Sequence, residues 1–345
     1  MPKPCLIDLL REPAKAAGVA ESDWNDIVIQ ATNAQLLGPL AAAIERAGVA
    51  DCVPPAVRQH LALATLTSGK RREAALWEVA AIRRAIDPDI PVVVLKGCAY
   101  AACEDLNAAG RVFSDIDILV PPALLERAEG KLIGAGFNPS QVSAYDQRYY
   151  REWMHEVPPM EHVRRHTSVD LHHAINPPVS RVHVPTARLM AGLVATAPGV
   201  FVLGPVDRVM HCALHLVQEG DAQKLLRDLY DLHLLVQQHF GNEALLAGLW
   251  RRADELGVLH LVRPAQQAAA ALFSVDVQSQ KSPRGWLARS LVAAARWPRP
   301  VFAAPLAEFA LLAHSHWIKM PLGLLVPHLL RKAWLGLRGK EKAEA

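Results

Sequence analysis

Two aspartates one residue apart, Asp115 and Asp117, lie in the run Ser114-Asp115-Ile116-Asp117-Ile118-Leu119-Val120, which Pro121-Pro122 stops. The β-branched residues Ile116, Ile118 and Val120 make this run a strand, and side chains alternate across a strand. Both carboxylates therefore face one side, and Ile116 and Ile118 face the core. Two negative charges so close repel unless a cation lies between them, and oxygen donors suit magnesium, with manganese as the alternative. A D-x-D pair also occurs as two solvated carboxylates, so its surroundings have to decide.

Upstream, Pro91-Val92-Val93-Val94-Leu95 is a continuous apolar run closed by Lys96-Gly97. It reads as a buried strand leading through a glycine turn into a helix over Cys98 to Leu106. The free amides of such a turn can receive a phosphate; Gly97 would allow close approach and Lys96 would supply a point charge. Arg111, four residues before Asp115, is placed either to pair with phosphates or to brace Asp115. His166, His172 and His173 cluster in sequence without a partner cysteine or an HExxH helix, so a zinc site is not expected, and contact of His172 with substrate or nucleotide is an alternative to a structural role.

The elements that must position these groups follow from periodicity. From Asp23 to about Ile86 apolar residues recur at helical spacing, with Pro54-Pro55 between two runs. Strand-like runs follow at 92–95 and 114–120, then a helix at 124–133 and two further β-like runs around Tyr149 to Val157 and His166 to Leu171. Beyond Pro177-Pro178 the helical period returns, with helices expected at 207–218, 222–238, 242–256 and 286–295. The expected fold is α+β, a small mixed sheet flanked by helices, with regions 1–89 (helical), 90–178 (catalytic core) and 179–345 (helical).

These blocks resemble the polymerase-beta-type nucleotidyltransferase superfamily, and within it a bacterial group known only as uncharacterised nucleotidyltransferase proteins. The likeness lies in motif order: Val94-Leu95-Lys96-Gly97, then Arg111 and Ser114 to Val120, then Leu132 to Phe137, then Val169-Asp170-Leu171-His172. It covers most of residues 20 to 240 and is strongest from 91 to 175. One departure is that the superfamily carries Gly-Ser or Gly-Gly where this chain has Lys96-Gly97.

The resemblance implies a nucleotidyltransferase-type sheet in which Asp170 is the third metal carboxylate beside Asp115 and Asp117, and accepts the proton of the attacking hydroxyl. It places Lys96, Gly97, Arg111, Ser114 and His172 around the donor. By their spacing His211, His215, Arg227, Asp228 and Asp231 are first read as core or capping residues, and the resemblance implies instead that the helical pair bearing them holds base and ribose. The implied reaction is in-line NMP transfer from a nucleoside triphosphate to a hydroxyl, amine or phosphate on a small molecule or peptide. A nucleotide sugar would present the same diphosphate to the same metals, so glycosyl transfer is the alternative enzyme reading, and a non-catalytic nucleotide-binding module is the alternative outside enzymes.

Composition is compatible with this. At 345 residues, 51% apolar and 21% charged, the chain is long enough for a sizeable core. A net charge of +3 is too mild for a dedicated nucleic-acid binder, and no nucleic-acid partner is expected. Five cysteines without a CxxC pair give neither a disulfide framework nor a zinc knuckle, and with no secretory leader in the first residues the expected compartment is the cytoplasm. No run reaches the length of a membrane span. The stretch Leu322 to Leu337, with Arg331, Lys332 and Arg338 beside Trp334, is expected to be a last core-packing helix, with contact to a membrane surface as the alternative. The tail from Lys340 to Ala345 is expected to be disordered.

Overall fold

A computed structural model describes residues 5–140, 143–275, 283–296 and 300–343. Four helices open the chain: α1 (Leu6–Arg11), α2 (Trp24–Asn33), α3 (Leu37–Arg46) and the long α4 (Pro55–Ala85). Strand β1 (Val92–Val94) then runs into α5 (Lys96–Ala102), shorter than the 98–106 expected. β2 (Asp115–Leu119), α6 (Leu125–Gly134), β3 (Phe137–Pro139), α7 (Ala144–Arg148), β4 (Met160–His162) and β5 (Ser168–His172) follow. After α8 (Thr186–Met190) a hairpin of β6 (Leu193–Ala197) and β7 (Val200–Leu203) precedes the helices α9 (Pro205–Glu219), α10 (Leu225–His239), α11 (Glu243–Glu255), α12 (Leu259–Phe273), α13 (Trp286–Ala295), α14 (Ala303–Lys319) and α15 (Leu322–Ala343).

The fold is α+β. The seven strands form one mixed sheet in the order β3-β4-β5-β2-β1-β7-β6. Its centre is the site-bearing part: β1 pairs antiparallel with β2, β2 pairs parallel with β5, and β1 pairs parallel with β7. One face, carrying Ile116, Ile118, Val169 and Leu171 with Val92 and Val94, packs with Val79, Ile82, Cys98, Ala128 and Leu132 from α4, α5 and α6. The other face, through Val93 and Leu119, joins a larger core shared by the first helices and by α9, α10, α12 and α13.

Three local expectations are corrected. The segment from Tyr149 is not a strand: Tyr149–Trp153 is a turn of π-helix in which Tyr149 stacks on His328 at 4.6 Å, and the strand follows at Met160–His162. A short aromatic run fits either period, and packing decides. The β6–β7 hairpin lies beyond Pro177-Pro178, where helix was expected, because β7 extends the sheet beside β1 and β6 forms its edge. The tail is helical to Ala343; the last two residues lie outside the described ones.

Candidate active site

The parallel register of β2 and β5 aligns Asp115 with Ser168 and Asp117 with Asp170. Since Ile116 and Ile118 occupy the opposite face, all three aspartates are turned to one side of the sheet, where they line a cavity of about 750 Å³. Its walls come from α4 (His60, Thr67, Arg71), the start of α5 (Lys96, Gly97) and α9 with α10 (His215, Arg227, Asp231).

Asp117 is the buried centre. Lys96 Nζ donates to its Oδ1 at 2.6 Å, and His172 Nε2 lies 3.0 Å from the same oxygen. Burial alone would raise its proton affinity, but Lys96 and His172 outweigh burial and hold the carboxyl well below the usual range. Lys96 reaches it because the β1–β2 ladder continues one step further, Leu95 N donating to Asp117 O at 2.9 Å. Lys96 itself has φ of 48°, in the left-handed region that a side chain enters only at a cost of about 1 to 2 kcal/mol.

Asp115 is exposed and accepts from Ser114 Oγ at 2.8 Å. Asp170 makes no hydrogen bond or ion pair among the described residues; burial, then the charges of Asp117 and Asp115, push its carboxyl up to about 7. Beside it Glu156, which sequence reasoning missed, is pushed up to about 8 by burial and by Asp170. Glu156 lies in a loop and meets β5 through a bridge to His172, so only its tertiary position brings it in.

The other expected donor contacts divide. Lys96, Gly97, Arg111 and Ser114 line the cavity; His172 does not, and instead braces Asp117 from behind, buried and held neutral by its burial. Arg111 pairs with Asp231 of α10, not with Asp115, and lies 5.5 Å from the Tyr100 ring. Side chains approach Gly97 closely: an added Cβ would come within 3.1 Å of Phe113 and 3.2 Å of Arg111. Of the histidine cluster, His166 pairs with exposed Glu161, and among the described residues the three-donor group gathered within 4.8 Å is His155, Glu156 and His172.

A divalent cation fits this chemistry. The carboxylates of Asp115, Asp117, Asp170 and Glu156 face the cavity with His155 beside them, and burial, reinforced by the neighbouring carboxylates, raises Asp170 to about 7 and Glu156 to about 8.

A family model described as "Uncharacterised nucleotidyltransferase" matches residues 20–274. The chain belongs to that family. The matched span of this nucleotidyltransferase family member contains the whole seven-stranded sheet and every cavity-lining aspartate. No curated protein and no solved structure matches it.

Proposed function

We propose that the cavity transfers an NMP from a nucleoside triphosphate to a hydroxyl, amine or phosphate acceptor on a small molecule or peptide, with magnesium held by Asp115, Asp117 and Asp170. The observation that carries this is the in-register pairing of Asp117 with Asp170 on parallel strands, with Asp115 on the same face, in a member of a nucleotidyltransferase family.

A bound divalent cation supplies charge neutralisation on the attacked phosphate and acidifies the acceptor hydroxyl. The chain's own groups do the rest. Asp170, which lines the cavity beside Asp117, receives the proton as the acceptor oxygen bonds to the α-phosphorus and the bond to the pyrophosphate oxygen breaks. Lys96 keeps Asp117 ionised until the donor arrives, and then offers its ammonium to the phosphates. Arg227 and Lys224 present further cations on the same wall, where base, ribose or phosphate would lie.

Thermal shift with magnesium tests the donor. A ligand at one hundred times its Kd stabilises by about 2.7 kcal/mol, or several degrees for a chain of this size. At least one triphosphate should give a magnesium-dependent shift that vanishes in Asp115→Asn/Asp117→Asn. A shift with nucleotide sugars alone would replace nucleotidyl by glycosyl transfer, and silence with every donor and with the metal would leave a non-catalytic module.

A further inference from the structure

The last two helices are inside out. Every exposed residue from 301 to 330 is Val, Phe, Ala, Pro, Leu, Trp or Gly. On α14 the stripe Phe302, Leu306, Phe309, Ala313, Trp317 runs down one helical face, with Phe302 90%, Leu306 70% and Phe309 69% exposed. On α15 the corresponding stripe is Leu322, Val326, Leu330 and Trp334. Between residues 301 and 330 the polar residues are instead buried or half-buried. Ser315 is buried and bonds Leu312 O, His314 meets the Trp286 ring, Lys319 reaches Glu219 at 3.5 Å, and His328 stacks on Tyr149.

A water-facing helix places these residue types the other way round, and a contiguous apolar surface of this extent marks contact with something apolar. The geometry limits what that is. No single described helix is long and apolar enough to cross a bilayer; α14 and the first part of α15 together have the length and composition, but they are bent by 119° at Met320-Pro321 and so do not form one straight span. Basic groups rim the face: Arg181 is exposed and stacked 3.7 Å over Trp317, and Arg331 lies 4.0 Å over Tyr145. From Arg331 onward the chain carries five Lys and Arg against two Glu. Apolar helices with tryptophans and a basic margin suit the boundary between anionic headgroups and acyl chains.

We propose that the α14–α15 elbow seats this protein on the surface of an anionic membrane. Flotation of the full-length protein with vesicles tests it. The wild type should float with phosphatidylcholine vesicles containing phosphatidylglycerol and do so less with phosphatidylcholine alone. Leu306→Glu/Phe309→Glu, at exposed positions that leave the core untouched, should lower partitioning about tenfold or more. Arg338→Gln/Lys340→Gln/Lys342→Gln should lower it about a hundredfold on phosphatidylglycerol vesicles and hardly at all on phosphatidylcholine. Failure of the wild type to float, or equal flotation of the Glu variant, overturns the proposal. So does a dimer in light scattering that the Glu variant dissociates without any vesicle binding, which would make the face a contact between two copies.

Discussion

Lys96 Nζ sits 2.6 Å from Asp117 Oδ1, so the lysine at the phosphate turn and the innermost aspartate of the D-x-D strand are partners. Breaking a buried pair leaves a charge uncompensated and costs about 3 to 5 kcal/mol; Lys96 is partly open to solvent, which places Lys96→Ala near the lower end. Metal-free Lys96→Ala should therefore melt well below the wild type. Magnesium should restore most of the loss by supplying the missing cation, and a deficit that magnesium leaves untouched would reduce Lys96 to a fold-stabilising role. The same variant should raise the nucleotide KM, since a phosphate contact present in the ground state acts as uniform binding.

Asp115 and Asp117 should separate in the same assay. Asp115 is exposed, and Asp115→Ala should lie within about 0.5 kcal/mol of the wild type in stability while abolishing turnover. Repulsion between the two carboxylates, taken from sequence alone, would make Asp117→Ala neutral or stabilising. The Lys96 and His172 contacts reverse the sign, because removal strands both partners. Asp117→Ala should lose activity and at least about 2 kcal/mol in metal-free buffer. Equal melting temperatures for the two variants, read by calorimetry, would refute the distinction.

The strand period made the two central strands, the orientation of Asp115 and Asp117 and the core role of Ile116 and Ile118 readable directly from residue order, because alternation is a local property. The matching of Asp170 to Asp117 came through the family's motif order, and the β2–β5 register then set them side by side. Tertiary contacts decided the rest. Glu156 enters from a loop, Arg111 chooses Asp231 from a helix more than one hundred residues later, and His172 has turned behind Asp117 instead of toward the cavity. No local spacing encodes those choices.

The raised carboxyl of Asp170 makes stability depend on pH with a definite sign. Its folded value is about 7 against roughly 3.9 in the unfolded chain, so its contribution is complete below about pH 4 and is lost as pH rises through about 7. Buried histidines such as His211, depressed to about 3 by burial, act oppositely, destabilising the protein as pH falls below about 6.5. Comparing wild type with Asp170→Asn cancels the histidine part. In chelator, the wild type should lose roughly 2 kcal/mol relative to the variant between about pH 5 and about pH 8. Magnesium should flatten that loss, since a cation takes the place of the proton. Melting curves across pH that run parallel for the two proteins would show that Asp170 does not carry the shift.

Arg111 ties the loop before β2 to α10 through Asp231, both side chains largely buried. Two roles predict different outcomes for a double-mutant cycle. Arg111→Ala alone strands Asp231 and should cost about 3 kcal/mol, whereas Arg111→Ala/Asp231→Ala removes both charges and should recover a large part of that loss. If Arg111 only braces α10, the nucleotide KM of the double variant should recover along with its stability. If the guanidinium also grips the donor, stability should return while KM stays high, because no second substitution replaces the lost contact with phosphate. The cavity position of Arg111, beside Gly97 and with Arg227 on the same wall, leads us to expect the second pattern, with KM raised about tenfold in both Arg111 variants and kcat changed less.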